Sequence, residues 1–310
     1  MSSQITTAFV KQYSSNVFHL AQQKGSRLRG AVRMEMQRGE EAFYDRIGAA
    51  TAVEKTGRHT DTPQIDTPHS RRKVTMKDFH YADLIDKEDK VRTLIDPTNE
   101  YAMAAAWALG RSLDDQIIAA AVGSAYAGVS GATETVLPST QKIVPFASGA
   151  GSNLNVEALR HAKLILDQAD VDPELPRFLA CEASQIYSLL GQTEVTSSDY
   201  NVVKALAQGQ IDSFMGFKFI RTQRLLSRSG ALSFDVTDGT VGAGGGDADG
   251  YRRCFAWVQD GLLLSVGEDI TGRIDERNDK SYATQIYAKM TLGATRMEEE
   301  KVVEILCNEG

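Results

Sequence analysis

Cysteine is scarce in this chain: Cys181, Cys254 and Cys307 are its only thiols. They lie far apart, each in an apolar or strand-like setting, and an odd, sparse set provides no disulfide framework. Reduced thiols of a cytoplasmic compartment, serving as small buried hydrophobes, fit them best. Histidine is scarce too. His19, His59, His69, His80 and His161 form no His-x-His or His-Glu-x-x-His pair, and there is no Cys-x-x-Cys, so no metal is expected. His59 and His69 flank a polar stretch and suit solvent-facing loop positions. No Gly-x-Ser-x-Gly elbow is present. No apolar run reaches about 18 residues, so no membrane span is expected. Met1–Thr7 lacks a charged segment followed by an apolar core, which excludes a secretory signal. What remains is a chain of 310 residues, 42% hydrophobic and 24% charged, long enough to bury a large core in one elaborate domain or two.

Acidic side chains are missing from residues 1–34, which carry Lys11, Lys24, Arg27, Arg29 and Arg33. The chain as a whole has a net charge of −7, so the segment after this basic arm is more acidic still. A basic arm on an acidic body suits the acidic faces of neighbouring copies. Nucleic acid is a second partner for such an arm, but dense basic runs interleaved with aromatics are lacking. The plain alternative is a solvated terminus.

The Gly-rich stretch 241–250, Val-Gly-Ala-Gly-Gly-Gly-Asp-Ala-Asp-Gly, invites a phosphate-binding reading. A P-loop ends in Gly-Lys-Ser/Thr, whereas this one ends in Asp247-Ala-Asp249, whose carboxylates repel phosphate. A dinucleotide fingerprint opens a helix, but Tyr251–Val258 reads as a strand. A calcium loop needs alternating carboxylates and a closing Glu, which are absent. A turn is the expectation.

Residues 36–85 read as a long two-stranded excursion, with strands at Glu41–Ile47 and Arg72–Phe79. Between them Asp61-Thr-Pro63 and Asp66-Thr-Pro68 repeat; each proline fixes its own φ and pushes the preceding threonine to extended geometry. A hairpin this long is marginal in water unless another surface covers it. Residues 96–128 form the strongest helical pattern, opened by Asp96-Pro97, with Met103, Trp107, Gly110, Leu113, Ile117 and Ala121 on one stripe. Arg111 and Asp115 stand one turn apart on the outer face. Asp114 and Asp115 diverge by about 100° on a helix, cannot converge on one ion, and read as a solvated face.

Residues 131–152 are rich in Gly, Ser and Thr and mark a boundary. Asn155 then caps a helix bearing Val156, Leu159, Ala162, Leu166 and Ala169. Phe178–Cys181 is a short buried strand, and Glu182–Leu190 a helix closed by Gly191. Ser198 and Asp199 cap a further helix with Val202, Val203, Leu206 and Ala207, stopped by Gly209. Phe217, Phe219 and Arg221 alternate with Lys218 and Ile220 as a strand, and Gly216 marks a bulge or a close backbone approach. After Glu268-Asp-Ile-Thr-Gly-Arg-Ile-Asp275 comes a long strand, Tyr282–Met290, with Tyr282, Thr284, Ile286, Ala288 and Met290 on its apolar side. Gly293-Ala-Thr-Arg then leads through Glu298-Glu-Glu to a last strand, Lys301–Leu306. Helices and strands in this order make an α+β arrangement around a small sheet.

Two stretches carry a resemblance. The capped helix, glycine and strand of Ser197–Leu225, with Gly-Gln-Ile-Asp-Ser-Phe-Met-Gly-Phe within it, resemble the axial domain of tailed-bacteriophage major capsid proteins of the Hong Kong 97-type fold. Arg-x-Asp, a long strand, Gly-Ala-Thr-Arg and a terminal Val-Val-x-Ile resemble the last peripheral-domain strands of that family. The rest of the chain follows in the family's order. The resemblance implies an N-terminal arm (1–35), an extended loop (36–80), a peripheral domain with a spine helix (81–130), an axial domain (131–261) and returning peripheral strands (262–310).

It implies no catalysis and no cofactor. The implied function is self-assembly as hexamers and pentamers into an icosahedral head that encloses double-stranded DNA without reading its sequence. The virion would be its location, the bacterial host cytoplasm its place of assembly, with no membrane involved. Intersubunit contacts would fall on Lys55, Arg58, Asp61, Pro63, Asp66, Pro68, Arg71 and Arg72 of the loop, and on Lys24, Arg27, Arg29 and Arg33 of the arm. The arm begins almost at Met1, with no room for a removable charged region, so a separate scaffolding protein is expected, beside portal and head-completion or decoration proteins. A Lys55–Asn278 cross-link, known in kind from some relatives, has only one lysine in a polar loop to support it. Two alternatives stay open: a nanocompartment shell of the same fold, similar to encapsulins, and a soluble enzyme using loop 241–250.

Overall fold

A computed structural model describes residues 21–58, 64–86, 98–147, 150–192, 213–228, 233–234, 241–242 and 251–309. In chain order the elements are β1 (Arg33–Met36), β2 (Glu41–Ile47), β3 (His69–Thr75), β4 (Lys77–Ile85), helix α1 (Thr98–Val122), β5 (Ala125–Ala127), β6 (Thr133–Thr135), β7 (Lys142–Ile143), β8 (Phe146–Ala147) and β9 (Ala150–Gly151). Then come α2 (Val156–Gln168), β10 (Arg177–Cys181), α3 (Ala183–Leu190), β11 (Ser213–Phe214), β12 (Phe217–Arg221), β13 (Ser227–Arg228), β14 (Ser233–Phe234) and β15 (Val241–Gly242). The chain closes with β16 (Tyr251–Val258), β17 (Leu262–Arg277), β18 (Ala283–Arg296) and β19 (Val302–Asn308). The helix expected over 198–208, the caps Asp96 and Pro97, and residues 243–250 of the Gly-rich stretch lie outside the described residues.

Three larger sheets organise these strands, in the orders β1-β17-β18-β4, β11-β12-β10-β16-β19-β7 and β2-β3-β5-β6. The chain divides into two compact units. One gathers the segment up to Ser26 with Asp78–Ser112 and Glu268–Thr291; the other gathers Arg27–Lys77, Leu113–Gly267 and the segment from Leu292.

The larger unit has its core on the β10-β16-β19 sheet. Apolar side chains on both strand faces explain why these strands sit at the sheet's centre: Leu179, Phe255, Trp257, Val303 and Ile305 are all fully buried. Trp257 packs against Phe178 and Phe255, with ring centroids 5.6 and 4.8 Å away. Its indole N–H donates to the Ala31 carbonyl at 2.8 Å. Helix α2 covers β19 with Leu159, Ala162 and Leu166. Its cap is as expected: Asn155 Oδ1 accepts from the Ala158 N–H at 2.8 Å. Glu182 caps helix α3, and its N–H donates to Gln185 Oε1 at 3.0 Å.

Several local expectations are corrected. Helix α1 stops at Val122, where Gly123 and Ser124 lead into β5, instead of running to 128. Its buried positions include Ala105, Leu109, Leu113, Ile117, Ile118 and Ala121, while Met103 is exposed. Gly216 is neither a bulge nor a close approach. Met215 (φ 53°) and Gly216 (φ 90°) are the two residues of the β11–β12 hairpin turn, and a Cβ on Gly216 would meet nothing. Two left-handed residues match the twist of the flanking strands. The strand read at 72–79 is two strands, broken at Met76, whose N–H donates to the Glu40 carbonyl at 2.9 Å. Gly293-Ala-Thr-Arg continues β18 instead of leaving it. Thr75 O and Val74 Cγ1 would lie 2.5 and 2.8 Å from a Cβ at Gly293, so glycine lets β3 cross the strand there.

Candidate assembly surface

The excursion after β1 is an antiparallel hairpin in full register, from Glu41↔Thr75 to Ile47↔His69. Alternation gives its base two unlike faces. On the inner face, Val74 joins Leu263 and Met297 in a small apolar cluster with Tyr44 against it. Tyr44 Oη shares a hydrogen bond of 3.0 Å with Ser265 Oγ. Arg72 lies on the same face and is 1% exposed. It donates to the Met297 carbonyl at 3.2 Å and pairs with Glu299. Arg46 donates to the same carbonyl and lies 3.9 Å from Glu299, and Arg296 Nε lies 3.6 Å from that carboxylate. Arg296 also donates to the carbonyls of Ala121, Gly123 and Thr135 at 3.0, 2.7 and 3.1 Å. Burial pushes the Arg72 and Arg296 guanidiniums below their ordinary pKa, and Glu299 opposes that shift. Three arginines thus clamp the hairpin's base through one carboxylate.

The loop residues named from the sequence divide accordingly. Arg72 is corrected: it is buried in its own chain, because its partner carboxylate lies beneath the hairpin. Arg71 faces outward, bonded to Asp45 at 2.8 Å, with its guanidinium 5.8 Å from the Phe43 ring centroid. Lys55, Arg58, Asp66 and Pro68 are exposed. Asp61 and Pro63 lie outside the described residues, as does His59.

In the arm, Lys24 sits 5.4 Å over the Trp107 ring. Arg33 is exposed and pairs with Glu35, while Arg29 is half-buried. The Arg27 side chain reaches the Arg221 carbonyl at 2.5 Å. The backbone from Arg27 to Met36 is integrated into its own body: Leu28, Ala31 and Val32 are buried, and β1 pairs in parallel with Leu263–Val266. Residues 1–20 lie outside the described residues.

The Asp114-Asp115 doublet is also corrected. The two carboxylates do diverge, but Asp114 makes no solvated face, and Asp115, half-exposed, is engaged by a cation. Asp114 is buried and accepts backbone N–H groups of Arg27 and Leu28, and Asp115 holds Arg224 in a two-pronged pair. That pair raises the Arg224 pKa. Arg111, expected opposite Asp115, donates to Gln22 Oε1 and the Gln23 carbonyl at 2.9 and 3.1 Å.

No group of His, Cys, Asp and Glu among the described residues is arranged to hold a metal ion. Cys181, Cys254 and Cys307 are free and buried. Burial pushes the Cys181 thiol up; the adjacent Cys307 side chain, then burial, raises Cys254. Among the described residues no helix is long and apolar enough to cross a membrane.

β5 lies within the stretch expected to be helix and β6 within the Gly/Ser/Thr-rich boundary; together they widen the hairpin's base to four strands, where Tyr126 and Val129 stand exposed.

No curated protein matches this sequence. Solved structures do match in fold. The capsid of the cyanophage P-SCSP1u superposes with a TM-score of 0.75 at 15% identity, over 100% of this chain and 96% of that one. The acidic stable capsid of Helicobacter pylori bacteriophage KHP30 gives 0.70 at 10% identity, over 100% and 98%. The capsid of Ralstonia phage GP4 gives 0.68 at 9% identity, over 97% and 95%. The mixed helix and sheet architecture is the Hong Kong 97-type capsid fold. A family described as phage capsid protein matches residues 5–309. The chain belongs to the phage capsid protein family, as a major capsid protein that builds the phage head.

Proposed function

We propose that copies of this chain join as hexamers and pentamers into a closed icosahedral shell around double-stranded DNA. The observation that carries this reading is the hairpin. Its base is fixed to its own body, yet residues 48–56 and 64–66 run exposed, with Val53 59% and Ile65 42% accessible. A hairpin of this length needs a covering surface, and a neighbouring copy supplies one. Closure of a shell turns many weak contacts into a stable particle. A separate scaffolding protein guides closure, portal and head-completion or decoration proteins finish the head, and assembly takes place in the bacterial host cytoplasm.

The test is expression with and without the neighbouring phage genes, followed by negative-stain microscopy and sedimentation. Closed shells that require the helper genes are expected. A chain that stays a single 33.8 kDa particle with its helpers present overturns the reading.

A further inference from the structure

The outer face of the β2-β3-β5-β6 sheet is read directly from its register. Phe43 is opposite Lys73, Lys73 opposite Tyr126, and Tyr126 opposite Glu134, so the four side chains form one row on one face. The opposite face holds Tyr44, Arg72 and Val74 against the body, so the outer row stands on a rigid base. Tyr126 is 49% exposed in the row, and Ile47 is 70% exposed at the same face's end. Beyond Tyr126 the strand turns at Gly128 (φ 92°) and Gly131 (φ 66°), with the Gly131 N–H donating to the Gly128 carbonyl at 3.2 Å. At the tip of that turn, where polar residues usually sit, is Val129, 87% exposed.

The charges on this face are closed pairwise. Lys73 pairs with Glu41, and Arg71 with Asp45, leaving Glu134. The chain as a whole carries −7, so copies repel wherever their acidic surfaces meet. A face with apolar side chains between cancelled charges is where like chains meet at least cost. Nucleic acid finds no free cation cluster there.

We infer that the four-stranded face centred on Tyr126 and Val129 at the hairpin's base, in addition to the hairpin's extended tip, is an intersubunit contact whose occupant is a second copy of this chain. This inference rests on the shell reading above.

The native thiols are all buried, so an introduced surface cysteine is a selective reporter. Tyr126→Cys and Val129→Cys subunits, co-expressed with the helper genes, are treated with a maleimide as dispersed subunits and as purified shells. Labelling is expected to slow by about ten-fold or more in shells, since a contact core excludes water. A Cys variant that keeps its fold by circular dichroism yet closes no shells also supports the contact. Equal labelling in both states overturns it. So does protection already present in dispersed subunits, which would mean that another segment of the same chain covers the face. If the unmodified chain forms no shells, the shell reading itself falls, and this contact with it.

Discussion

Asp114 and Leu28 are joined by a buried hydrogen bond: Asp114 Oδ1 accepts the Leu28 N–H at 3.2 Å, while Oδ2 takes the Arg27 N–H at 2.9 Å. One side chain of the long helix thereby satisfies two backbone donors of a segment that, among the described residues, enters no sheet until Arg33. Asp114→Ala removes both acceptors and orphans the buried Leu28 N–H, at a cost of about 1–3 kcal/mol, with a smaller loss at the part-buried Arg27 N–H. Asp114→Asn keeps one acceptor oxygen and should lose less. Urea midpoints of dispersed subunits rank wild type above Asn above Ala; an Ala variant as stable as wild type would remove Asp114 from this role.

Arg72 and Glu299 support a second ordering. Glu299→Gln leaves Arg46, Arg72 and Arg296 around a neutral amide, and breaking such a buried arrangement costs about 3–5 kcal/mol. Arg72→Met removes one cation and leaves Glu299 with Arg46 and Arg296, so it should cost less. Arg72→Lys should not restore wild-type behaviour, because an ammonium cannot reach the Met297 carbonyl and Glu299 together as a guanidinium fork does. Hydrogen exchange over 41–47 and 69–75 reads the loosening. The clamp is disproved if Arg72→Met opens the hairpin more than Glu299→Gln.

What was legible in the sequence was local. Alternation located β2, and Asn155 with Leu159, Ala162 and Leu166 located α2, because period and caps are properties of neighbouring residues. Arg72 was misread because its carboxylate lies 227 positions away, and nothing in a charged hairpin strand shows which side meets the body. Asp114 was misread for the same reason, its donors being 86 and 87 positions distant. The parallel pairing of β1 with β17 was invisible, since Arg33–Met36 reads only as the end of a basic arm. The row Phe43-Lys73-Tyr126-Glu134 exists only through register, which joins residues from four strands that no short window contains. Loop contacts at Asp61 and Pro63 fall outside the described residues and rest on the resemblance.

Arg277 and Asp279 give a prediction about pH. Arg277 Nε and Nη2 donate to the two oxygens of Asp279, each at 2.7 Å, and this fork holds the carboxyl down to about 2. An unfolded aspartate titrates near about 3.9. A depressed folded pKa means that the pair's contribution is complete above the unfolded value and fades as pH falls through the folded one. Side-chain NMR of dispersed subunits should place the Asp279 midpoint near 2, and Arg277→Gln should return it toward the free value. A midpoint that does not move in Arg277→Gln contradicts the fork.

Gly110 supports a prediction whose two parts have opposite signs. A Cβ there would stand 2.8 Å from Cα and C of Gly25 and 2.9 Å from the Ser26 nitrogen, all of them backbone atoms that cannot rotate away. Gly25 itself takes φ 73°, and its neighbours are held to the same helix by Lys24 over Trp107 and by Arg111 bonded to Gln22 and Gln23. Gly110→Ala favours the helix by about 1 kcal/mol, since glycine is a poor helix former. The same methyl pushes the segment 22–26 off the helix. The helix should therefore hold or gain protection against hydrogen exchange, while trypsin cuts after Lys24 faster and Trp107 fluorescence shifts as its cation leaves. Trp257 is fully buried elsewhere in the fold, so it provides a constant background. Gly110→Val should enlarge both changes in the segment. Unchanged cleavage after Lys24 in both variants would show that the segment does not rest on Gly110 in solution.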